Sequence, residues 1–314
     1  MHELDRIRHA LLDAAERNEP VLLATVTNVD GSTYRGAGAR MVVRADGSTV
    51  GAVSGGCLEA DIVARAPDLL ASGNTEQVHY DTRASDDVVL GLGLGCQGVI
   101  DLELAPLSGA SLQDAIALLA ELRARSAVRL LVCGAGTDAI PVVRLAAMVG
   151  WLVTVVDHRP SFVTRERFPD AEHVVCLNLT HDAGALAQAV ALDAIDAAVV
   201  MAHAAAHDRA YLHALLDAGA PRYLGVLGPR RRTLELLEGA PAAALEDAPG
   251  EIPSGIHAPI GLDLGAETPE EIALAIVSEA TAVLAGASGV SLRERGGPIH
   301  AERARTARAA PSGS

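Results

Sequence analysis

Lysine is missing from this chain of 314 residues: all 25 of its basic side chains are arginine. Without lysine there is no Walker-type side chain for a γ-phosphate and no amine for Schiff-base catalysis. Positive charge is scarce overall, because 40 acids against 25 bases leave −15 at pH 7. Duplex nucleic acid and anionic membranes both require clustered cations, so neither is expected as a partner. Every long apolar stretch is broken by a charge, as at Asp193, Asp196 and Glu279, and no membrane span is expected. No signal-peptide pattern is read at the start. The four cysteines, Cys57, Cys96, Cys133 and Cys176, lack metal-knuckle spacing and read as reduced thiols of a cytoplasmic protein.

What the chain has in abundance is apolar residues, at 50% of the total, and glycine, 30 in number. At roughly 100–200 residues per domain this length suggests two domains. The most informative stretch is RLLVCGAGTDAIPVVRLAAMVGWLVTVVDHRP, residues 129–160. It reads as a strand over 130–133, a glycine turn at Gly134 and Gly136, a helix with Asp138 and Pro141 near its start, Gly150, a second strand over 151–156, and then Asp157. In a Rossmann βαβ unit the first glycine permits the turn and the second lets the backbone approach a pyrophosphate. The helix N-terminus then offers N–H groups to phosphate oxygens. Ala139 replaces the third glycine. Asp157, 21 residues after Gly136, stands where an acid accepts ribose hydroxyls. A capping or loop acid is the alternative for it.

Ahead of this unit, residues 4–17 have helical spacing, 21–29 read as a strand, and 39–44 and 49–53 form a hairpin across Asp46 and Gly47. The hairpin runs into SGGCLE at 54–59, where Ser54, Gly55 and Gly56 precede Cys57 at the start of a helix over 58–70. A thiol near a helix N-terminus has its thiolate stabilised, which makes Cys57 a candidate ligand or nucleophile. Glu59 is a candidate neighbour or a plain capping acid. A second cysteine, Cys96, ends the GLGLGC run at 91–96, next to Gly95 and ahead of a strand over 99–104. One such cysteine would read as a small buried hydrophobe; two flanked by glycines read as site residues. Cys133 and Cys176 read as core.

Residues 106–111 are loop-like and 112–125 resemble an amphipathic connecting helix. After the opening βαβ, strands over 173–177, 197–201 and 223–227 alternate with helices over 181–190 and 208–218, the pattern of a parallel sheet. Ligands of such sheets sit at the strands' carboxyl ends, which places His203, His207, Asp208 and residues 228–232 on the same edge as Gly134 and Asp157. Arg230, Arg231 and Arg232 suit phosphate contact or a solvated helix face. Asp263, in the glycine-punctuated loop 259–265, joins the candidate ligand contacts, and Thr268-Pro269-Glu270-Glu271 caps a helix to about 284. The expected fold is α/β, with a smaller N-terminal α+β domain over 1–107, a linker helix over 108–127 and a Rossmann-like domain with helices on both faces over 128–286. An Arg/Ala/Gly-rich flexible tail follows over 287–314.

SGGCLE, GLGLGC, the 133–160 stretch, GVLGPRRR at 225–232 and HAPIGLDLGAETPEEIALAIVSE at 257–279 together resemble the XdhC family of xanthine dehydrogenase accessory proteins. Gln97 and Ala204 depart from the family pattern, which has glycine and asparagine there. The resemblance implies a chaperone more than a catalyst. Such a protein binds molybdenum cofactor, as molybdopterin or its dinucleotide form, and delivers it to a molybdenum hydroxylase of the xanthine dehydrogenase type. A cysteine desulfurase or cofactor-maturation enzyme is a further implied partner, and a homodimer is the default assembly. The expected cofactor contacts are Ser54, Gly55, Gly56, Cys57, Glu59, Gly95, Cys96, Gly134, Gly136, Asp138, Asp157, His203, Arg230 and Asp263. Cys57 is the metal-facing thiol, since a soft thiolate suits a sulfur-rich metal group. The rival reading is an NAD(P)-dependent oxidoreductase using the Rossmann domain, and a third is an interaction protein with a vacant Rossmann fold.

Overall fold

The computed structural model describes residues 2–81, 97–180, 184–240 and 251–294. Its contacts divide the chain into two units, Met1–Ser126 and Ala127–Gly296. Among the described residues no helix is long and apolar enough to cross a membrane.

The first unit contains α1 (Glu3–Arg17), β1 (Val21–Ser32), β2 (Arg40–Arg44), β3 (Thr49–Gly51), α2 (Glu59–Ser72), β4 (Glu76–Asp81), β5 (Gln97–Leu107) and α3 (Gly109–Ser126). The strands form one antiparallel sheet in the order β3-β2-β1-β5-β4. Side chains alternate across a strand, and here both faces are used. Leu22, Ala24, Val26, Met41 and Val43 pack against Leu58, Ile62, Ala66 and Leu69 on the α2 side. Val21 and Val42 face the other way, onto Ile7 and Leu11 of α1 and Leu112, Ile116 and Leu119 of α3. Each fully buried Leu or Ile contributes about 1.5–3 kcal/mol. The helix expected as a linker over 108–127 is therefore α3, part of the first unit's core. β4 escaped the sequence reading because only Val78 and Tyr80 of its six residues are buried.

The second unit holds β6 (Arg129–Cys133), α4 (Ala139–Met148), β7 (Leu152–Asp157), β8 (His173–Cys176), α5 (Ala185–Ala189), β9 (Ala197–Val200), α6 (Ala205–Asp217), β10 (Tyr223–Val226), α7 (Arg230–Leu237), β11 (Ile256–His257) and α8 (Pro269–Leu284). Residues 181–183 of the helix expected over 181–190 lie outside the described residues, and α5 is its described part. The sheet is parallel in the order β11-β10-β9-β6-β7-β8, the Rossmann order, with its switch point between β6 and β9. Alternate residues again serve two cores. Leu130, Val132, Val153, Val155 and Val199 pack with α4 and α8, whereas Leu131, Cys133, Val156, Ala198, Val200 and Leu224 pack with α6 and α7. α8 begins with the expected capping box, in which Thr268 and Glu271 satisfy each other's backbone N–H and Pro269 takes the first turn.

Candidate functional site

In the first unit the SGGCLE segment folds into a turn that satisfies itself. Glu59 Oε1 accepts the N–H groups of Ser54 at 2.8 Å and Val53 at 3.1 Å, and Glu59 Oε2 accepts the Ser54 hydroxyl. The Ser54 Oγ in turn accepts the N–H groups of Gly56, Cys57 and Leu58 at 3.1–3.2 Å. Burial alone would raise the Glu59 carboxyl, but these bonds outweigh it and hold the group below its ordinary range. Ser54 and Glu59, expected to touch a cofactor, thus turn inward and shape the loop.

What the loop presents is Cys57, a free, half-buried thiol one residue before Leu58, which occupies the N-cap position of α2. Gly56 sits at φ +110°, where a side chain is strained, and a Cβ there would meet nothing within 4 Å. Gly55 lies under the Tyr34 ring, which a Cβ would approach at 3.6 Å, and Tyr34 is 68% exposed. Gly95 and Cys96 lie outside the described residues.

In the second unit the carboxyl edge of the sheet carries the other candidates. Gly134 has φ +125°, and a Cβ on it would lie 2.5 Å from Met201 O, so the ends of β6 and β9 meet at a contact only glycine allows. The Ala135 N–H donates to Asp157 Oδ2 at 2.7 Å, and Asp157 also accepts the Arg159 N–H, Nε and Nη2 at 2.7–2.9 Å. A carboxylate has about four lone-pair sites, and these bonds fill them. Asp157 is 0% exposed. Burial would raise its carboxyl, but the Arg159 guanidinium and the two backbone N–H groups bring it down to about 2. The acid expected at a ribose instead ties β7 to the glycine turn.

Asp138 stands at the N-cap of α4 without capping it, and its Oδ2 lies 2.6 Å from His203 Nε2. His203 follows β9 with φ +60° and a side chain 55% exposed. A Cβ on Gly136 would fall 2.6 Å from Asp138 Oδ1, so this carboxylate covers the space above the second glycine. Behind the dyad, Asp208 is 1% exposed and accepts the Ala202 N–H at 2.8 Å and the Arg232 guanidinium. Burial raises its carboxyl despite these partners.

The arginine run therefore divides. Arg232 holds Asp208 and the Leu227 carbonyl, Arg231 lies 3.5 Å from Glu235, and Arg230 is exposed with no partner among the described residues. Asp263 is exposed on the loop that precedes α8, and among the described residues no contact joins it to the glycine turn. Cys133 is buried as expected, and burial pushes its thiol up. Cys176, also expected in the core, is exposed on the edge strand β8.

Several residues here had no signal in the sequence. His158 stacks on His207 with centroids 3.6 Å apart, and burial together with His158 lowers the His207 pKa. His158 Nδ1 lies 3.2 Å from Asp157 Oδ1 but out of hydrogen-bonding alignment. Arg167 donates to the Ala135 carbonyl at 3.2 Å, bracing the turn from the loop after β7. The available hints were that His158 and Arg159 follow Asp157 directly and that His207 follows the 197–201 strand, on the same edge.

Residues 130–280 match the family described as the XdhC Rossmann domain, and residues 14–81 match the XdhC and CoxI family. A Bacillus subtilis protein whose name describes a probable xanthine dehydrogenase subunit is 30% identical over 330 residues, covering 86% of this chain and 96% of that protein. The Escherichia coli molybdenum cofactor insertion chaperone PaoD is 35% identical over 120 residues, 38% of this chain and 36% of that protein. A Bacillus halodurans crystal structure described as a xanthine dehydrogenase superposes with a TM-score of 0.76 at 26% identity, covering 90% of this chain and 96% of that one. Both halves of the sequence, and the two folds they build, place this chain in the XdhC family.

Proposed function

We propose that this chain binds molybdenum cofactor and delivers it to a molybdenum hydroxylase of the xanthine dehydrogenase type. The observation that carries the reading is Cys57. It is a free thiol on a loop whose polar groups are satisfied internally, beside Gly56, where the space is open. The fit to the cofactor is chemical. Among the described residues no group of three or more His, Cys, Asp or Glu could hold a bare metal ion. A cofactor that brings its metal already chelated by sulfur asks the protein for little more than one soft ligand and room beside it. When bound, the cofactor would supply the dithiolene-held metal; Cys57 would meet it, and Ser54 and Glu59 would keep the loop in shape.

The family and the relative named as an insertion chaperone support the same reading. Sulfuration by a cysteine desulfurase, a cytoplasmic location and a homodimeric state belong to the proposal. No observation favours NAD(P): the Asp157 lone pairs and the Ala135 N–H that would serve a dinucleotide are engaged within the protein.

The test is purification without oxygen, followed by assay of released ligand for pterin fluorescence, molybdenum and nicotinamide absorbance. Pterin together with molybdenum is expected; nicotinamide or nothing refutes the proposal. Cys57→Ala is expected to keep its circular dichroism spectrum and to lose transfer of active cofactor to apo-hydroxylase. Transfer at the parent's rate would remove Cys57 from the mechanism.

A further inference from the structure

We infer that the switch point of the second unit recognises a ring edge bearing paired N–H donors, the 2-amino-4-oxopyrimidine edge of a pterin or a guanine, through Asp138, and that it does not take a pyrophosphate. The inference deepens the molybdopterin reading and rests on it, and it concerns the second unit alone.

A Rossmann turn that binds pyrophosphate needs free N–H groups and open space above its second glycine. Here the Gly134 N–H donates to Val156 O at 2.8 Å and the Ala135 N–H donates to Asp157 at 2.7 Å, which leaves the N–H groups of Gly136, Thr137 and Asp138, at the start of α4, as the donors an anion would have to reach. The space above Gly136 is held by Asp138 Oδ1. An incoming phosphate would meet the Asp138 carboxylate directly, and like charges at such range repel. The ribose position fares no better, since Asp157 has no open lone pair.

The same geometry is suited to donors. Asp138 uses one lone-pair site of Oδ2 on His203, and Oδ1 has no hydrogen-bond partner among the described residues. Each oxygen therefore keeps a lone-pair site that no donor among the described residues uses, on a side chain 19% exposed, and a bidentate pair of parallel N–H donors requires two such sites. His203 fixes the carboxylate from the end of β9, across the switch point, so the acceptor is oriented before a ligand arrives. Pterin and guanine share this edge, with a ring N–H beside an exocyclic amino group.

The experiment titrates the intact chain with 6-hydroxymethylpterin, with 6-hydroxymethyllumazine, which carries an oxo group in place of the amino group, with guanosine, and with inorganic pyrophosphate. The expected result is that lumazine binds at least tenfold more weakly than pterin, and that Asp138→Asn weakens pterin at least tenfold without weakening pyrophosphate. Tighter binding of guanosine than of pterin would assign the same edge to a nucleotide base. Equal affinity for pterin and lumazine, no binding of either, or parent pyrophosphate affinity that falls in Asp138→Asn overturns the inference. Asp138→Ser, which keeps a short polar side chain at the N-cap position, replaces the asparagine variant if that one melts early. The two proposals fail separately. Protein purified without oxygen that carries molybdopterin, whether or not Asp138 is replaced, keeps the chaperone reading and loses this one.

Discussion

Replacing Asp157 with asparagine tests whether this acid holds the fold rather than a ligand. In the parent its carboxylate accepts four N–H donors at 2.7–2.9 Å and is 0% exposed. The fall of its pKa from an ordinary 3.8 to about 2 measures how much the folded state prefers the charged form. At 1.36 kcal/mol per unit this corresponds to about 2–3 kcal/mol. The amide also turns a donor toward donors, and an unsatisfied buried group costs about 1–3 kcal/mol more. Together these come to about 3–6 kcal/mol, which lowers Tm by roughly 6–24 °C for a unit of this size. The assay is thermal denaturation of the full chain at pH 7 followed by circular dichroism, repeated on acidification.

The sign follows from a depressed carboxyl. The contribution is complete above the unfolded value of 3.8 and disappears as pH falls through the folded value of about 2. The gap between parent and Asp157→Asn should therefore be widest near neutrality and narrow below pH 3.8. A gap under 2 °C at pH 7, or one that stays constant into acid, would refute the reasoning.

Three further outcomes are expected. Gly134→Ala places a Cβ 2.5 Å from the Met201 carbonyl at φ +125° and should cost about 2–5 kcal/mol in urea denaturation. In Gly136→Ala the close neighbour is a side-chain oxygen, Asp138 Oδ1 at 2.6 Å, rather than backbone, so the cost should be smaller than for Gly134→Ala; equal effects would contradict the description of the turn. Ser54→Ala removes the acceptor of three N–H groups and a donor to Glu59. It should cost about 1–3 kcal/mol and speed alkylation of Cys57 in peptide-resolved mass spectrometry, and an unchanged rate would show that the serine does not hold the loop. Finally, His207 refuses in the fold a proton that the unfolded chain accepts below about pH 6.5. Stability should decline as pH drops from 6.5 toward its lowered value, and His207→Phe should flatten that part of the profile in melts between pH 8 and 5.

The parallel sheet was legible because a strand buried on both faces must be apolar throughout, and the runs at 130–133, 151–156, 197–201 and 223–227 stand out against their surroundings. The glycine turn was legible for a similar reason, since the φ of Gly134 excludes other residues. β4 and β11 were not, because a short edge element with one or two buried side chains leaves almost no periodicity. Helix ends moved by a few residues wherever no cap marked them, whereas α8, with Thr268 and Glu271, began where its capping box said it would.

The site residues show where sequence reading stops. Spacing told that Ser54, Glu59, Asp138, Asp157, His203 and Arg232 lie near the loops that matter, because local order and strand ends determine that much. It did not tell which of their atoms remain open. Ser54 and Glu59 satisfy one another across five residues, but Asp157 reaches back 22 residues to Ala135, Arg232 reaches 24 residues to Asp208, and His203 reaches 65 residues to Asp138. Hydrogen bonds over such separations exist only once the strands are laid side by side. The sequence by itself thus determined the family and the two folds. The tertiary structure decided which side chains hold the protein together and which, like Cys57 and the Asp138 carboxylate, keep atoms free for something else.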